Sequence, residues 1–262
     1  MNKANFSDET ILKLLKLPDL LSVLNALLGF SAILFVLGGV NEKAIENALV
    51  LILAAAVVDG LDGVVARKIE CSPIGKYLDS LADMVSFGVA PAIVAYALIN
   101  SHLHVYVYLY VTLALCGAYV ISGMLRLARF SFSTNLSLEK KALPKKLLEK
   151  EKMYFEGFPI TGSAIVLASF MLVFIELHLP SKPCFLLLIV LMGILCFLMT
   201  SRIKYGNIRD KRIVIAVGIV FFTLFFFYIF SLPFVYPAAI IFALTLFYIC
   251  SPFVRAVAVY AQ

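Results

Sequence analysis

The sequence predicts an all-α, polytopic membrane helix bundle of about eight transmembrane helices, with an N-terminal amphipathic interfacial helix. Three observations carry this. The chain of 262 residues is 63% hydrophobic and its mean hydropathy is +1.01, far above a soluble domain. Apolar runs near the roughly 20 residues needed to cross a bilayer recur eight times along it. The basic residues fall almost entirely into alternate connections between those runs.

In chain order, residues 1–18 come first. Ile11, Leu12, Leu14 and Leu15 alternate with Lys13 and Lys16, and Ser7 or Asp8 can cap the start. That pattern suits a helix lying flat in the interface; the plainer reading is a polar extension. No cleavable signal is expected. Spans are expected near 20–40, 44–66, 75–99, 105–128, 159–178, 183–201, 213–231 and 234–254. The charged stretch 131–158, with the core KKALPKKLLEKEK, reads as a solvated loop, a short interfacial helix or a lid over the site.

Charge orients the bundle. Lys3, Lys13 and Lys16 precede the first span, and Arg67, Lys68 and Lys76 flank the second connection. A dense basic stretch runs from Arg126 to Lys152, another from Arg202 to Arg212, and Arg255 follows the last span. Only Lys43 and Lys182 stand on the other side. The positive-inside rule then puts both termini in the cytoplasm, with an even number of spans. The net charge of +6 is read as topology and as attraction to anionic headgroups, with no nucleic-acid partner. Trp is absent, so 12 Tyr and 22 Phe must supply the interfacial aromatics. The five cysteines lack CxxC spacing and read as free thiols. His102, His104 and His178 lie in short polar breaks and read as surface residues.

The informative stretch is Asp59 to Met84, DGLDGVVARKIECSPIGKYLDSLADM. Asp59 and Asp62 are three apart on one apolar helix, and Asp79 and Asp83 are four apart on the next, so each pair shares a helix face. An ionised carboxylate at membrane depth costs several kcal/mol or more unless paired. Four of them require cations. All-oxygen ligation suits Mg2+ or Mn2+, and two such ions about 3.5–4 Å apart form the clamp of phosphoryl chemistry. Gly63, Ala66 and Gly75 clear side-chain bulk beside the carboxylates, leaving room for a base or a diphosphate. Arg67 adds a cationic fork for phosphate. Arg126 and Arg129, three apart in the GMLRLARF end of the fourth span, suit a phosphate or a carboxylate, or simply flank the membrane. Ser72, Ser80 and Ser86 have no base placed to activate them and read as packing or hydrogen-bonding residues. Gly157 and Pro159 fit a helix start or a site wall.

These residues resemble the CDP-alcohol phosphatidyltransferase motif, Asp-x2-Asp-Gly-x2-Ala-Arg, a spacer, then Gly-x3-Asp-x3-Asp. Asp59, Asp62, Gly63, Ala66, Arg67, Gly75, Asp79 and Asp83 fill every fixed position. The spacer from Arg67 to Gly75 is one residue shorter than is usual in the family. PDLLSVLN in the first span, SFGVAP, RLARF and GFP resemble the membrane-embedded phosphatidylserine synthases within it. The resemblance implies one domain over 1–262: an interfacial helix at 1–18, a six-helix core at 19–204 and two added helices at 205–262. It implies transfer of a phosphatidyl group from a CDP-activated lipid to L-serine, with release of CMP. Asp59, Asp62, Asp79 and Asp83 would hold the two metals. Asp83 would also take the serine proton, and Gly63, Ala66, Arg67 and Gly75 would hold the cytidine diphosphate. Arg126 and Arg129 are candidates for the serine carboxylate or a phosphate. A homodimer in the cytoplasmic membrane is expected, among membrane lipids. Glycerol phosphate, inositol phosphate or inositol is the alternative acceptor. A divalent-cation transporter is the rival of another class.

Overall fold

A computed structural model describes residues 15–65, 72, 74–102, 106–139, 154–178, 182–206, 218, 221–223, 225–230 and 235–260. Residues 1–14 of the expected interfacial helix, the charged core of the long loop, Ala66, Arg67, Cys71 and His104 lie outside the described residues, and Leu17 and Pro18 begin the first membrane helix.

The chain is helical, as its composition predicts. In order, α1 is Leu17–Leu37 and α2 is Glu42–Val65. Next come α3, Gly75–Asp83, a π-helical turn, Met84–Val89, and α4, Ala90–His102. Then follow α5, Tyr106–Glu139, α6, Ile160–Glu176, α7, Lys182–Thr200, and α8, Val235–Tyr260. Among the described residues, 6 helical stretches are long and apolar enough to cross a membrane: α1, α2, the continuous α3–α4 rod, α5, α7 and α8. The protein is therefore an integral membrane protein. The fifth expected span is α6, whose 17 residues are shorter. It runs through the middle of the bundle, with Ile160, Ala164, Leu167, Ala168 and Met171 fully buried. The seventh expected span, 213–231, is described in part and is helical at 218, 221–223 and 225–229.

Helix α1 shows how the bundle is sorted. Its buried residues are Pro18, Asp19, Ser22, Asn25, Gly29, Ala32 and Val36, a stripe at three- and four-residue spacing. Leu17, Leu20, Leu24, Leu27, Phe30 and Leu34 face outward. The polar and small side chains are thus inside and the leucines outside, the arrangement lipid demands. Gly29 is required for close approach: a Cβ there would sit 2.4 Å from Ser86 Oγ and 2.5 Å from Ser86 Cα.

The third expected span, near 75–99, contains the π-helical turn. The turn has a cause in Pro91, which lacks an N–H and whose ring crowds the carbonyl four residues back. The carbonyl so freed is that of Phe87, and the buried Tyr119 of α5 donates its hydroxyl to it at 3.2 Å. Such turns recur at functional sites, and this one follows Asp83 directly.

Two expectations need correction. The fourth helix does not stop near residue 128. It continues to Glu139, because SFSTNLSLE contains neither Gly nor Pro to end it. At 34 residues and 1.5 Å per residue it is about 50 Å long, so it projects beyond a hydrocarbon core of about 30 Å. The second correction is an addition. Tyr154–Glu156 (β1) pairs antiparallel with Lys204–Gly206 (β2), a two-stranded ribbon joining the entrance of α6 to the exit of α7.

Gly157 adopts φ 80° beside that ribbon, and a Cβ would lie 2.7 Å from the Met199 carbonyl oxygen. Pro159 then caps α6 in extended geometry, so the GFP segment is a helix start. Cys116, Cys196 and Cys250 carry free thiols, as expected.

Candidate active site

Helix α2 brings Asp59 and Asp62 to its end, and α3 brings Asp79 and Asp83 back alongside. Asp59, Asp79 and Asp83 each offer a carboxylate oxygen, and these oxygens lie within 4.8 Å of one another. Asp83 and Asp62 are buried, at 8% and 7% exposed; Asp59 and Asp79 are half-buried. The two faces inferred from the spacing therefore meet.

Asp62 stands outside that group of three. Its Oδ2 accepts the Ser22 hydroxyl of α1 at 2.8 Å, and its buried Oδ1 has no hydrogen-bond partner among the described residues. Asp59 Oδ2 accepts Thr161 Oγ1 of α6 at 3.3 Å, and Asp83 Oδ1 accepts Asn25 Nδ2 of α1 at 3.2 Å. Each of these aspartates is thus held by one neutral donor from a neighbouring helix. Neutral donors orient a carboxylate but do not cancel its charge.

This donor set fits a hard divalent cation. Three converging carboxylates in an apolar bundle repel one another unless cations lie among them, and carboxylate oxygens are the ligands of choice for Mg2+ or Mn2+. The free Oδ1 of Asp62 adds one more buried acceptor. Among the described residues, a Cβ on Gly60 or Gly63 would meet nothing within 4 Å.

The other site residues expected from sequence divide by surroundings. Gly63 is exposed and open, as a residue clearing room for a ligand should be. Gly75 is packed instead: a Cβ there would lie 2.6 Å from Asp19 Oδ1 and 3.2 Å from Ser72 Oγ. The absence of its side chain lets α3 start against the buried carboxylate of α1. Ala66 and Arg67, in the motif's connection, lie outside the described residues.

The two arginines part company. Arg126 is half-buried, stacks its guanidinium over Phe130 at 5.5 Å, and lies within Coulombic reach of Asp83 and Asp59. Arg129 points to the end of α7, donating Nη1 to the Ser201 carbonyl at 3.1 Å and Nη2 to that of Thr200 at 3.0 Å. It caps carbonyls that a helix end leaves unpaired. Two of the three serines make the expected hydrogen bonds: Ser86 Oγ donates to the Asn25 carbonyl at 2.7 Å and Ser80 Oγ to that of Lys76 at 3.1 Å, while the buried Ser72 Oγ has no partner among the described residues.

Sequence reasoning assigned no role to Ser22, Asn25 or Thr161. A signal existed for the first two: with Asp19 they form a polar stripe at three-residue spacing in an otherwise leucine-rich span. Thr161 had none, since one hydroxyl in an apolar helix more often bonds its own backbone.

Near the ribbon, Phe158, Tyr205 and Tyr248 pack ring to ring at 5.3 to 6.0 Å, which brings α8 against the entrance of α6. Burial among these rings pushes the Tyr205 hydroxyl up to about 12.

A sequence profile of the CDP-alcohol phosphatidyltransferase family matches residues 15–200. Among similar proteins is the CDP-diacylglycerol–serine O-phosphatidyltransferase of Helicobacter pylori, 31% identical over 199 residues, covering 74% of this chain and 73% of that one. The archaetidylserine synthase of Methanothermobacter thermautotrophicus is 36% identical over 169 residues, covering 63% and 62% respectively. The CDP-diacylglycerol–serine O-phosphatidyltransferase of Saccharomyces cerevisiae is 36% identical over 170 residues, covering 62% of this chain and 56% of that one.

Proposed function

The chain belongs to the CDP-alcohol phosphatidyltransferase family, and on that premise we propose that it transfers the phosphatidyl group of a CDP-activated lipid to the hydroxyl of L-serine, releasing CMP. The lipid is CDP-diacylglycerol or CDP-archaeol, the two chemistries suggested by the relatives' names. The observation that carries the reading is the meeting of Asp59, Asp79 and Asp83, from two helices, within 4.8 Å.

The reaction forms a bond from serine Oγ to the lipid-linked phosphorus and breaks the bond from that phosphorus to the CMP oxygen. Asp59, Asp62, Asp79 and Asp83 would hold two divalent ions, Mg2+ or Mn2+. When bound, these would neutralise the diphosphate and the charge developing on the leaving CMP. Asp83 takes the serine hydroxyl proton as attack proceeds. Asn25 fixes one of its oxygens. Gly63 leaves room for the cytidine diphosphate, and Ala66, Arg67 and Gly75 would complete its cradle. Arg126, within Coulombic reach of Asp83 and Asp59, receives the serine carboxylate or a phosphate oxygen. Arg129 keeps donors beyond the two that cap α7; its part is to hold that end of the wall, with a contact to the same anion open to it.

The site is proposed to lie near the cytoplasmic side of the cell membrane, with both termini cytoplasmic, because the basic connections cluster on that side. Lipid tails then stay in hydrocarbon while serine and CMP exchange with water. The catalytic core would be residues 19–204, with two helices added at 205–262. A working homodimer is proposed on the family resemblance.

Release of CMP from CDP-diacylglycerol by the purified protein, measured with serine, glycerol phosphate, inositol phosphate and inositol in turn, tests the reading. Serine is expected to support release and the others not. A protein that ignores serine and uses another of these alcohols has a different acceptor.

A further inference from the structure

Asn25 is 1% exposed, deep in the polar stripe of α1. Its Nδ2 donates to Asp83 Oδ1 at 3.2 Å. Since an ionised carboxylate only accepts, the amide orientation is fixed: nitrogen toward Asp83, oxygen away. That oxygen, Oδ1, is buried and has no hydrogen-bond partner among the described residues. Leaving a buried acceptor unmet has a cost in stability. The side chain is not loose enough to escape that cost. Its own carbonyl accepts Ser86 Oγ at 2.7 Å, and Gly29, one turn on, packs directly against Ser86. The carboxamide is thus clamped beside Asp83 with a free acceptor.

We propose that Asn25 Oδ1 receives the ammonium group of the amino-alcohol acceptor, making Asn25 a specificity-determining residue for the transfer. This rests on the serine reading above and deepens it. In serine the ammonium-bearing carbon is bonded to the CH2OH carbon. A molecule that presents its hydroxyl to Asp83 therefore carries its N–H donors within one hydrogen bond of that hydroxyl. One carboxamide then holds the carboxylate with its nitrogen and the nucleophile with its oxygen, in register. Arg126 takes the carboxylate at the substrate's other end. A site built around a buried acceptor penalises an analogue that lacks the donor, because the acceptor stays unmet.

The test uses full-length protein with serine and with 3-hydroxypropanoate, which has the hydroxyl and the carboxylate but no ammonium. The readout is the ratio of the 3-hydroxypropanoate inhibition constant to the serine KM in the CMP-release assay. In the unaltered protein this ratio is expected to be at least about 10. Asn25→Ala should bring it near 1, and turnover should fall as Asp83 loses its donor. Asn25→Asp keeps an oxygen for the ammonium but no donor for Asp83. It should keep the ratio while losing turnover, a split that a purely structural role would not give. Should Asn25→Ala not hold the fold, the isosteric Asn25→Leu is read the same way. An unchanged ratio in Asn25→Ala or Asn25→Leu, or an equal loss of the ratio in Asn25→Asp, overturns the proposal. Failure of the serine reading itself would show earlier, as no serine-dependent CMP release by the unaltered protein.

Discussion

Asp83 is buried, held by Asn25 and followed directly by the π-helical turn. Asp83→Asn should lower kcat by about 10²–10⁴, the range for loss of a positioned base, while CDP-lipid still binds. Equilibrium binding measured beside turnover checks both halves, and near-normal turnover would remove Asp83 from proton transfer. The two arginines give a sharper contrast. Arg126→Ala should raise the serine KM with little effect on thermal stability. Arg129→Ala removes two charge-assisted bonds to the end of α7, so it should cost about 1.5–3 kcal/mol of stability, read as a lower melting midpoint in detergent. Equal effects of both variants on KM and melting would dissolve the distinction. The aspartates were legible in the sequence because two three- and four-residue spacings fix a face on each helix. What divides Arg126 from Arg129 was not: both sit on one helix face, and only α7, over 70 residues on, decides which is taken up by carbonyls.

At the scale of elements, the ends of most helices were legible within a few residues, since apolar length and the Gly and Pro breaks set them. The misreadings have physical causes. Helix α5 outruns its apolar part because polar residues without Gly or Pro continue a helix into water. The β1–β2 ribbon has three-residue strands, too short for any alternation to register. The π-helical turn was implicit in Pro91, but its satisfaction by Tyr119 is a contact between distant residues. Helix α1 packs tightly against the π-helical turn at Gly29 and Ser86. Gly29→Leu must push these elements apart. Overpacking typically costs about 1–3 kcal/mol, and here it should also disturb Asn25 and Ser22 together. The expected outcome is a folded protein with a lowered melting midpoint and turnover reduced more than tenfold. Gly193→Leu is its control, since a Cβ at Gly193 meets nothing within 4 Å; loss of activity there to the same degree would show that bulk alone, rather than the contact with Ser86, is responsible.

For the whole molecule, the governing fact is inversion: apolar side chains cover the outside of α1, α5 and α7, while carboxylates, hydroxyls and an amide collect within. Such an interior is tolerated only if its charge is neutralised. The fold class, the membrane character and the family were all legible at this scale, because hydropathy and an eight-position motif are properties of the chain as a string. Which helix supplies the partner of each aspartate was not, because α1 and α6 reach the site from about 40 and 100 residues away.

Titration of the purified full-length protein with Mn2+, followed by electron paramagnetic resonance of the free ion, addresses the central claim directly. The unaltered protein should remove two Mn2+ per chain from solution, and Asp79→Asn should remove markedly less while keeping its melting midpoint. Equal uptake by both proteins, or no uptake by an unaltered protein that still releases CMP, would contradict it.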